Sequence, residues 1–418
     1  MGCHNRRMNF QRDSIHAIAA LAVAAVLSSC SLIHGTSREQ KLPPPPPAPV
    51  VPAEAAPIAT HKFDLPPEQD DLVGTVQVVR TSKEDTLPDI ARRFDIGYEE
   101  IVRANPAVDA WLPGADREII VPTQFILPNA PREGVVINIA AMRIFYYPPH
   151  KQGEPQVVHT HPIGIGRVGW ATPEGTTKII RRQKDPVWHV PASVRKEHRE
   201  NGEILGAVVG AGPDNPLGRH AFYLGWASYL IHGTNKPYGV GLRSSHGCIR
   251  LYPEDIAEFF DMIPVGTKVR VVNQPYVFGW HNGQLYFQAF NVLEDDTRDW
   301  KKAQKTLLTK SFAAHLQKEL KERNETVDWD AVAKLDHTPR GIPVAISDAN
   351  ASIEQVLAAA PRVENRLPEG STWDGKSDLP MDEATLREVL SDTDANAPAT
   401  HAVNSTPPKT PAPPRTGT

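Results

Sequence analysis

Short apolar runs with two different periods organise the middle of the chain. Thr75-Val76-Gln77-Val78-Val79 alternates like a strand. Thr86 to Phe94 then follows helical spacing, with Leu87, Ile90 and Phe94 on one face, and Tyr98 to Ala104 repeats it with Ile101 and Val102 until Asn105-Pro106 ends the run. Glu118-Ile119-Ile120-Val121-Pro122 closes as a strand, so residues 74–123 are predicted as a compact strand–helix–helix–strand unit. From 129 to 273 the pattern becomes β-rich. Val135 to Ile139, Arg143 to Tyr147, Gln156 to Thr160, Phe222 to Gly225, Tyr229 to Ile231 and Thr267 to Val272 are short strands separated by Pro and Gly turns, as in a sandwich or barrel-like sheet. One helix interrupts them, Pro253 to Asp261, with Pro253 near its start, Glu254 and Asp255 in its first turn and Pro264 beyond its end. A hairpin around His281-Asn282-Gly283 and an amphipathic helix over 298–322 (Leu307, Leu308, Phe312, Leu316, Leu320) are expected in a C-terminal extension, 274–348, that packs on the β domain.

The two ends differ from this pattern. Arg6, Arg7 and Arg12 precede an apolar run from Ala17 to Leu27, 27 − 17 + 1 = 11 residues, whereas a spanning helix needs about 20. This is predicted to be a signal peptide, residues 1–29. Leu27-Ser28-Ser29-Cys30 resembles a lipobox, which implies lipidation of Cys30 and, with Ser31 next, an outer-membrane anchor. Residues 30–73 contain Pro43 to Pro47, Pro49, Pro52 and Pro57 among alanines and are expected to form an extended tether. Residues 349–418, with Pro407-Pro408 and Pro413-Pro414, are expected to be largely disordered. Much of the chain's count of 40 prolines in 418 residues sits in these ends, so the folded part is smaller than the length implies. The overall class expected is α+β and multidomain. A formal net charge of −4 offers no field for nucleic acid.

Three cysteines, Cys3, Cys30 and Cys248, are too few and too scattered for a disulfide framework. Removal of the signal and acylation of Cys30 would leave Cys248 as the free thiol of an oxidising compartment. It stands in Ser245-His246-Gly247-Cys248-Ile249-Arg250, downstream of Ile231-His232-Gly233-Thr234-Asn235. A neighbouring imidazole can take a thiol's proton, and such pairing is expected to bring the Cys248 pKa to about 6. Gly247 lets backbone amides approach, forming an oxyanion hole, and Arg250, two residues on in an extended segment, can grip a substrate carboxylate. On the residues alone three readings stand: an activated nucleophile, a buried structural thiol among satisfied histidines, and a zinc site of His232, His246 and Cys248, which lacks a fourth ligand.

His232-Gly233 followed by Ser245-His246-Gly247-Cys248, with 248 − 232 = 16, resembles the signature of the L,D-transpeptidase catalytic domain (the ErfK/YkuD type). The likeness to the ErfK-like branch extends through Pro131 to Gly134, Pro162 to Arg167, Thr172 to Gly175, Gly212 to Gly218, Gly233 to Pro237 and Arg250 to Ile256. The unit at 74–123, with Asp85-Thr86-Leu87, Ile90-Ala91, Phe94, Ala104-Asn105-Pro106 and Ile120-Val121-Pro122, resembles a LysM module, with Glu84 where that family usually has glycine. The resemblance implies two-step acyl transfer on peptidoglycan. Cys248 is the implied nucleophile, His232 the base with Gly233 as its backbone orienter, and His246 and Gly247 shape the loop. Arg250, Ser245, Thr234 and Tyr238 are the implied substrate-binding residues; no metal or other cofactor is implied. The implied donor is a stem tetrapeptide, whose meso-diaminopimelate passes its acyl group to Cys248 while D-alanine leaves. The acceptor is a second diaminopimelate or the lysine of an outer-membrane lipoprotein. Water as acceptor would make the chain a hydrolase instead, and without chemistry it would be a wall-binding anchor, against which intact His232 and Cys248 argue. The implied location is the periplasm, with Cys30 tethering the chain to outer-membrane lipid.

Overall fold

The computed structural model describes residues 54–376, apart from 66–69, 152, 301–317, 319, 323–325 and 349–351. The signal peptide, Cys30, the proline cluster, most of the helix expected at 298–322 and the final tail lie outside the described residues. A short strand β1 (Lys62–Asp64) and β2 (Leu72–Gly74) lead into β3 (Gln77–Arg80), α1 (Leu87–Arg93), α2 (Tyr98–Ala104) and β4 (Glu118–Val121), and β5 (Gln124–Ile126) returns to pair with β2. β3 and β4 pair antiparallel, giving the predicted strand–helix–helix–strand order. Local chemistry sets the start of α1. Thr86 accepts from the Asp89 amide at 3.2 Å while the Asp89 carboxylate accepts from the Thr86 amide at 3.1 Å, a reciprocal cap that satisfies two otherwise orphaned donors. Leu87, Ile90, Phe94, Ile96 and Ile101 are fully buried against Val79, Ile119 and Val121. Asn105 ends α2 by bridging the Ile101 and Ile120 carbonyls, each at 2.8 Å.

The β-rich region comprises β6 (Gly134–Asn138), β7 (Arg143–Tyr147), β8 (Val157–Pro162), β9 (Ile165–Gly166), β10 (Gly175–Lys184), β11 (Trp188–His189), α3 (Ala192–Glu200), β12 (Val208–Val209), β13 (His220–Leu224), β14 (Leu230–His232), β15 (Arg243–Ser245), β16 (Ile249–Arg250), α4 (Pro253–Met262) and β17 (Lys268–Val272). One sheet runs β1-β8-β7-β6-β17-β10-β13-β14-β16. Most neighbours are antiparallel, but β6 pairs parallel with β17 and β14 parallel with β16. The apolar runs predicted as strands become its buried faces, and Ile256 and Phe259 of α4 close the core over them. β10 and α3 escape prediction because their sequences are mostly polar and exposed, so neither carries an apolar period.

The extension has its own small core. β18 (Tyr276–His281) and β19 (Gln284–Ala289) form the predicted hairpin, with Asn282 and Gly283 at φ 50° and 81°, as its two-residue turn demands. After α5 (Trp329–His337), β20 (Val344–Ala345) joins β19, and Val332 and Leu335 of the helix pack on Phe287 and Leu285. Val277 and Phe290 meet Leu72 and Ile126 of the β2–β5 pair, together with Ala141 of the β-rich region.

Two sequence expectations are corrected. The tether does not extend to residue 73: β1 pairs with β8, because Phe63 and Leu65 pack on the cluster of Phe125, Phe145 and Val158. Residues 349–418 are not uniformly unstructured either. α6 (Ile353–Ala359) leads into a segment in which the Val363 amide donates to the Val78 carbonyl at 2.9 Å, and the Val78 amide donates to the Pro361 carbonyl at 3.0 Å. The free edge of β3 offers backbone partners that composition does not reveal, and Val363 buries itself completely there.

The strand–helix–helix–strand unit is welded to the β-rich region. Amides of Tyr98 and Glu99 at the start of α2 donate to the Val240 and Gly241 carbonyls at 3.1 and 3.2 Å. Arg143, 1 % exposed, donates to both Glu100 oxygens and to the Asp95 carbonyl. Gly241, at φ +84°, lies where any Cβ would meet the Tyr98 amide at 2.2 Å, so only glycine permits this approach.

Candidate active site

The register of β14 against β16 sets Ile231 beside Ile249 and His232 beside Arg250. Both isoleucines point into the core. Side chains alternate along strands, so His232, Arg250 and Cys248, each one residue from an isoleucine, lie on the opposite face. That face opens into a cavity of about 680 Å³ lined by His232, Cys248, Arg250, Ser245, His246 and Thr234, among others. Residues scattered over 250 − 232 = 18 positions of sequence are thereby gathered around one space by a two-residue parallel pairing.

His232 is buried, and its Nδ1 stands 2.6 Å from the Gly233 carbonyl. A carbonyl only accepts, so Nδ1 carries the proton and Nε2 keeps a lone pair. Burial first, then the nearby Arg250 charge, lowers its pKa to about 3. Cys248 is half-buried and its thiol donates to the Ser228 carbonyl at 3.7 Å. Burial pushes the thiol pKa up, against the opposing pull of a Leu230 backbone hydrogen bond and of Arg250. Both shifts favour neutral forms. The resting pair is thiol and imidazole, contrary to the expected depression to about 6, because the buried face solvates neither the thiolate nor the imidazolium.

Hydrogen bonds hold the cysteine loop. Ser245 Oγ donates to the Cys248 carbonyl at 2.5 Å, and Thr172 Oγ1 donates to the Gly247 carbonyl at 3.0 Å while accepting from the Gly166 amide at 3.1 Å. Gly247 has φ +96°, and a Cβ there would meet the Tyr229 ring at 2.9 Å. His246 Nε2 lies 2.8 Å from Glu197 Oε2 of α3 and 3.1 Å from Arg167 Nη2, and Trp170 packs on its ring edge-on at 4.8 Å. Arg250 Nη1 donates to Ser244 Oγ at 3.1 Å. Thr234 Oγ1 accepts from the Lys236 amide at 2.9 Å and so caps the turn after His232. Tyr238 is 8 % exposed in the short turn Pro237–Gly239 and is not among the residues lining the cavity.

Sequence reasoning did not find the distal walls. Glu99 and Arg103 of α2, Asn291 to Glu294 after β19, and Trp188 and His198 around α3 all face the same cavity. Their signal is tertiary: α2 reaches the cavity through the close contact at Gly241, and no motif links residue 99 to residue 248. Thr172 lies in the quoted Thr172 to Gly175 stretch, but its hydrogen bond to Gly247 has no sequence signature.

A neutral resting thiol has a measurable consequence. Below its raised pKa the thiolate fraction climbs about tenfold per pH unit, so iodoacetamide alkylation of Cys248 should rise steadily from pH 6 through pH 9. A plateau already reached near pH 6 would mean a preformed thiolate–imidazolium pair.

Residues 132–271 match the model of the L,D-transpeptidase catalytic domain named YkuD. The chain is 38% identical over 294 residues to a "Probable L,D-transpeptidase ErfK/SrfK" of Salmonella typhimurium, an alignment covering 68% of this chain and 91% of the relative. It is 44% identical over 235 residues to a "Probable L,D-transpeptidase YbiS" of Escherichia coli, covering 55% of this chain and 75% of the relative. To a "Putative L,D-transpeptidase YkuD" of Bacillus subtilis it is 28% identical over 189 residues, 45% of this chain and 93% of the relative. A β-rich domain with Cys248, His232 and His246 on one cavity, and similarity over nearly the whole of the first relative, lead to one assignment: the chain is an enzyme of the L,D-transpeptidase family.

Proposed function

We propose that this enzyme transfers the acyl group of peptidoglycan stem peptides through a Cys248 thioester. The supporting observation is the β14–β16 pairing, which aligns His232 with Arg250, together with the cavity that these two line along with Cys248. In the first step Sγ attacks the carbonyl of the diaminopimelate residue whose amide leads to the terminal D-alanine. The thiol proton passes to Nε2 of His232 as the C–S bond forms, and the developing imidazolium is oriented by the Gly233 carbonyl. The C–N bond then breaks, and the leaving amine of D-alanine takes the proton back. Backbone amides around Gly247 stabilise the tetrahedral oxyanion, and Arg250 holds a substrate carboxylate. In the second step an amine, a second diaminopimelate or a lipoprotein lysine, attacks the thioester, with His232 accepting its proton. The amide forms and Cys248 is regenerated. The thioester stores enough free energy for this step without nucleotide hydrolysis.

A resting neutral pair suits the scheme. Charge separates only while a carbonyl is present to receive the sulfur, and water meets no standing thiolate. The same proposal places the enzyme in the periplasm, held to the outer membrane through Cys30, with the LysM-like unit gripping glycan. The short strand–helix–helix–strand core and its rigid junction with the cavity wall support a unit that would present a glycan strand to the site.

Muropeptides incubated with the purified protein and analysed by mass spectrometry test the reaction. Release of D-alanine with 3–3 cross-linked dimers, or lipoprotein-linked fragments when that acceptor is added, is expected. Shortened monomers alone would replace transfer by hydrolysis, and unchanged substrate would defeat both.

A further inference from the structure

Beneath the junction between α1 and the β-rich sheet lies a second cluster of reactive side chains. Asp95 follows α1, His161 lies in β8 and Asp255 in the first turn of α4. Their exposures are 5%, 0% and 0%. His161 Nδ1 stands 3.0 Å from Asp95 Oδ2 and 3.4 Å from Asp255 Oδ1. One ligating atom from each of the three falls within 4.8 Å of the others. Thr372 Oγ1 donates to Asp255 Oδ1 at 2.8 Å. Three further atoms of the cluster, Asp95 Oδ1, Asp255 Oδ2 and His161 Nε2, are buried with no hydrogen-bond partner among the described residues.

Protein chemistry alone leaves this arrangement incomplete. Two buried carboxyl groups face one imidazole; without a metal they must hold a further proton between them, in the Asp95–Asp255 side-chain hydrogen bond, and His161 Nε2 still has no partner. We propose that Asp95, His161 and Asp255 form a structural zinc site that clamps the LysM-like unit to the catalytic domain. Zinc takes four nitrogen and carboxylate donors at about 2.0–2.2 Å, with tetrahedral edges of roughly 3.3–3.6 Å. His161 Nδ1 and one oxygen of each aspartate supply three, and the second oxygen of a bidentate aspartate, one of the unpartnered atoms, supplies the fourth. The 3.0 and 3.4 Å separations need to open by only a few tenths of an ångström. On binding, Nδ1 coordinates the metal through its lone pair and the imidazole proton moves to Nε2, where Glu258 Oε2 stands 3.9 Å away. Any proton shared between the two carboxyl groups leaves to solvent. Glu258 itself is fixed by His159 Nδ1 at 3.1 Å, so it is placed as the outer carboxylate that orients a metal-bound histidine. The ligands come from positions 95, 161 and 255, a spacing that no zinc motif describes, which is why the sequence implied no metal.

The test uses the full chain, stripped with chelator and titrated with zinc chloride by calorimetry. One equivalent should bind to the wild type and equally to Cys248→Ala, which removes the thiol of the other possible metal-binding pocket. His161→Gln should weaken binding more than about 100-fold, and Glu258→Gln by about 10–100-fold, as expected for an outer partner. No stoichiometric zinc on wild type, loss of binding in Cys248→Ala, or unchanged binding in a folded His161→Gln would overturn the site in favour of a shared proton. Should His161→Gln fail to fold, cobalt(II) substitution of the wild type decides. Visible bands of a tetrahedral nitrogen–oxygen site without a thiolate charge-transfer band support it, and a thiolate band, which this cysteine-free cluster cannot produce, overturns it.

Discussion

Cys248→Ala is expected to abolish acyl transfer, with turnover on muropeptides falling by at least about 10⁴-fold, because no other group can form the covalent intermediate. The same change should remove covalent labelling by carbapenems, whose strained ring carbonyl would acylate the same sulfur. Intact-mass spectrometry checks this directly: one adduct per wild-type chain and none on Cys248→Ala. An adduct that survives in the variant places the nucleophile elsewhere. His232→Gln should behave differently. It leaves the thiol in place but removes the Nε2 lone pair, so labelling persists at high pH, where hydroxide supplies the thiolate, and collapses near neutrality, where the imidazole must take the proton.

Arg143→Met should destabilise the fold by about 3–5 kcal/mol, the usual cost of leaving a buried charge without its partner. Arg143 is 1 % exposed, its Nε stands 2.9 Å from Glu100 Oε1, and its guanidinium lies 4.1 Å above the Phe125 ring. Glu100 cannot turn to solvent, because its second oxygen accepts from the Gly97 amide at 2.7 Å. Urea unfolding of the single variant against Arg143→Met combined with Glu100→Gln isolates the effect. The double variant should recover much of the loss, since neither charge is then buried alone. Equal losses in both would mean that packing around Phe125, rather than the ion pair, holds the junction. Gly241→Ala tests the same junction sterically, and its Cβ should displace α2 and with it the Glu99 and Arg103 wall of the cavity.

Much of this was legible in the sequence. Apolar periodicity located both helices at 87–93 and 98–104 and most of the long strands, because their burial is one-sided and leaves a repeating signature. Proximity in sequence, and resemblance to a family, singled out His232, His246, Cys248 and Arg250, and all four line one cavity. The elements that escaped are those whose burial comes from elsewhere. Val363 is apolar within a polar, proline-containing stretch and acquires its role only against the free edge of β3. β10 is mostly polar apart from Ile179 and Ile180, yet it is held by backbone pairing with β13 and β17, which asks nothing of side-chain period. Tyr238 looked available from its place beside the motif, but it is buried in a tight turn and is not among the residues that line the cavity.

The sequence by itself determined the local elements, the family, and the chemical identity of the thiol, imidazoles and guanidinium, since each of these follows from residue type and short-range spacing. Tertiary structure alone decided their electrical state and their company. The ordinary thiol and imidazole pKa values predict an easily charged pair, but burial raises one and lowers the other, so the pair rests neutral. It also brought Glu99 to the cavity and set Asp95 against His161 and Asp255, groups separated by up to 255 − 95 = 160 positions. Desolvation and long-range contact depend on which surfaces close over a residue. No window along the chain contains that information.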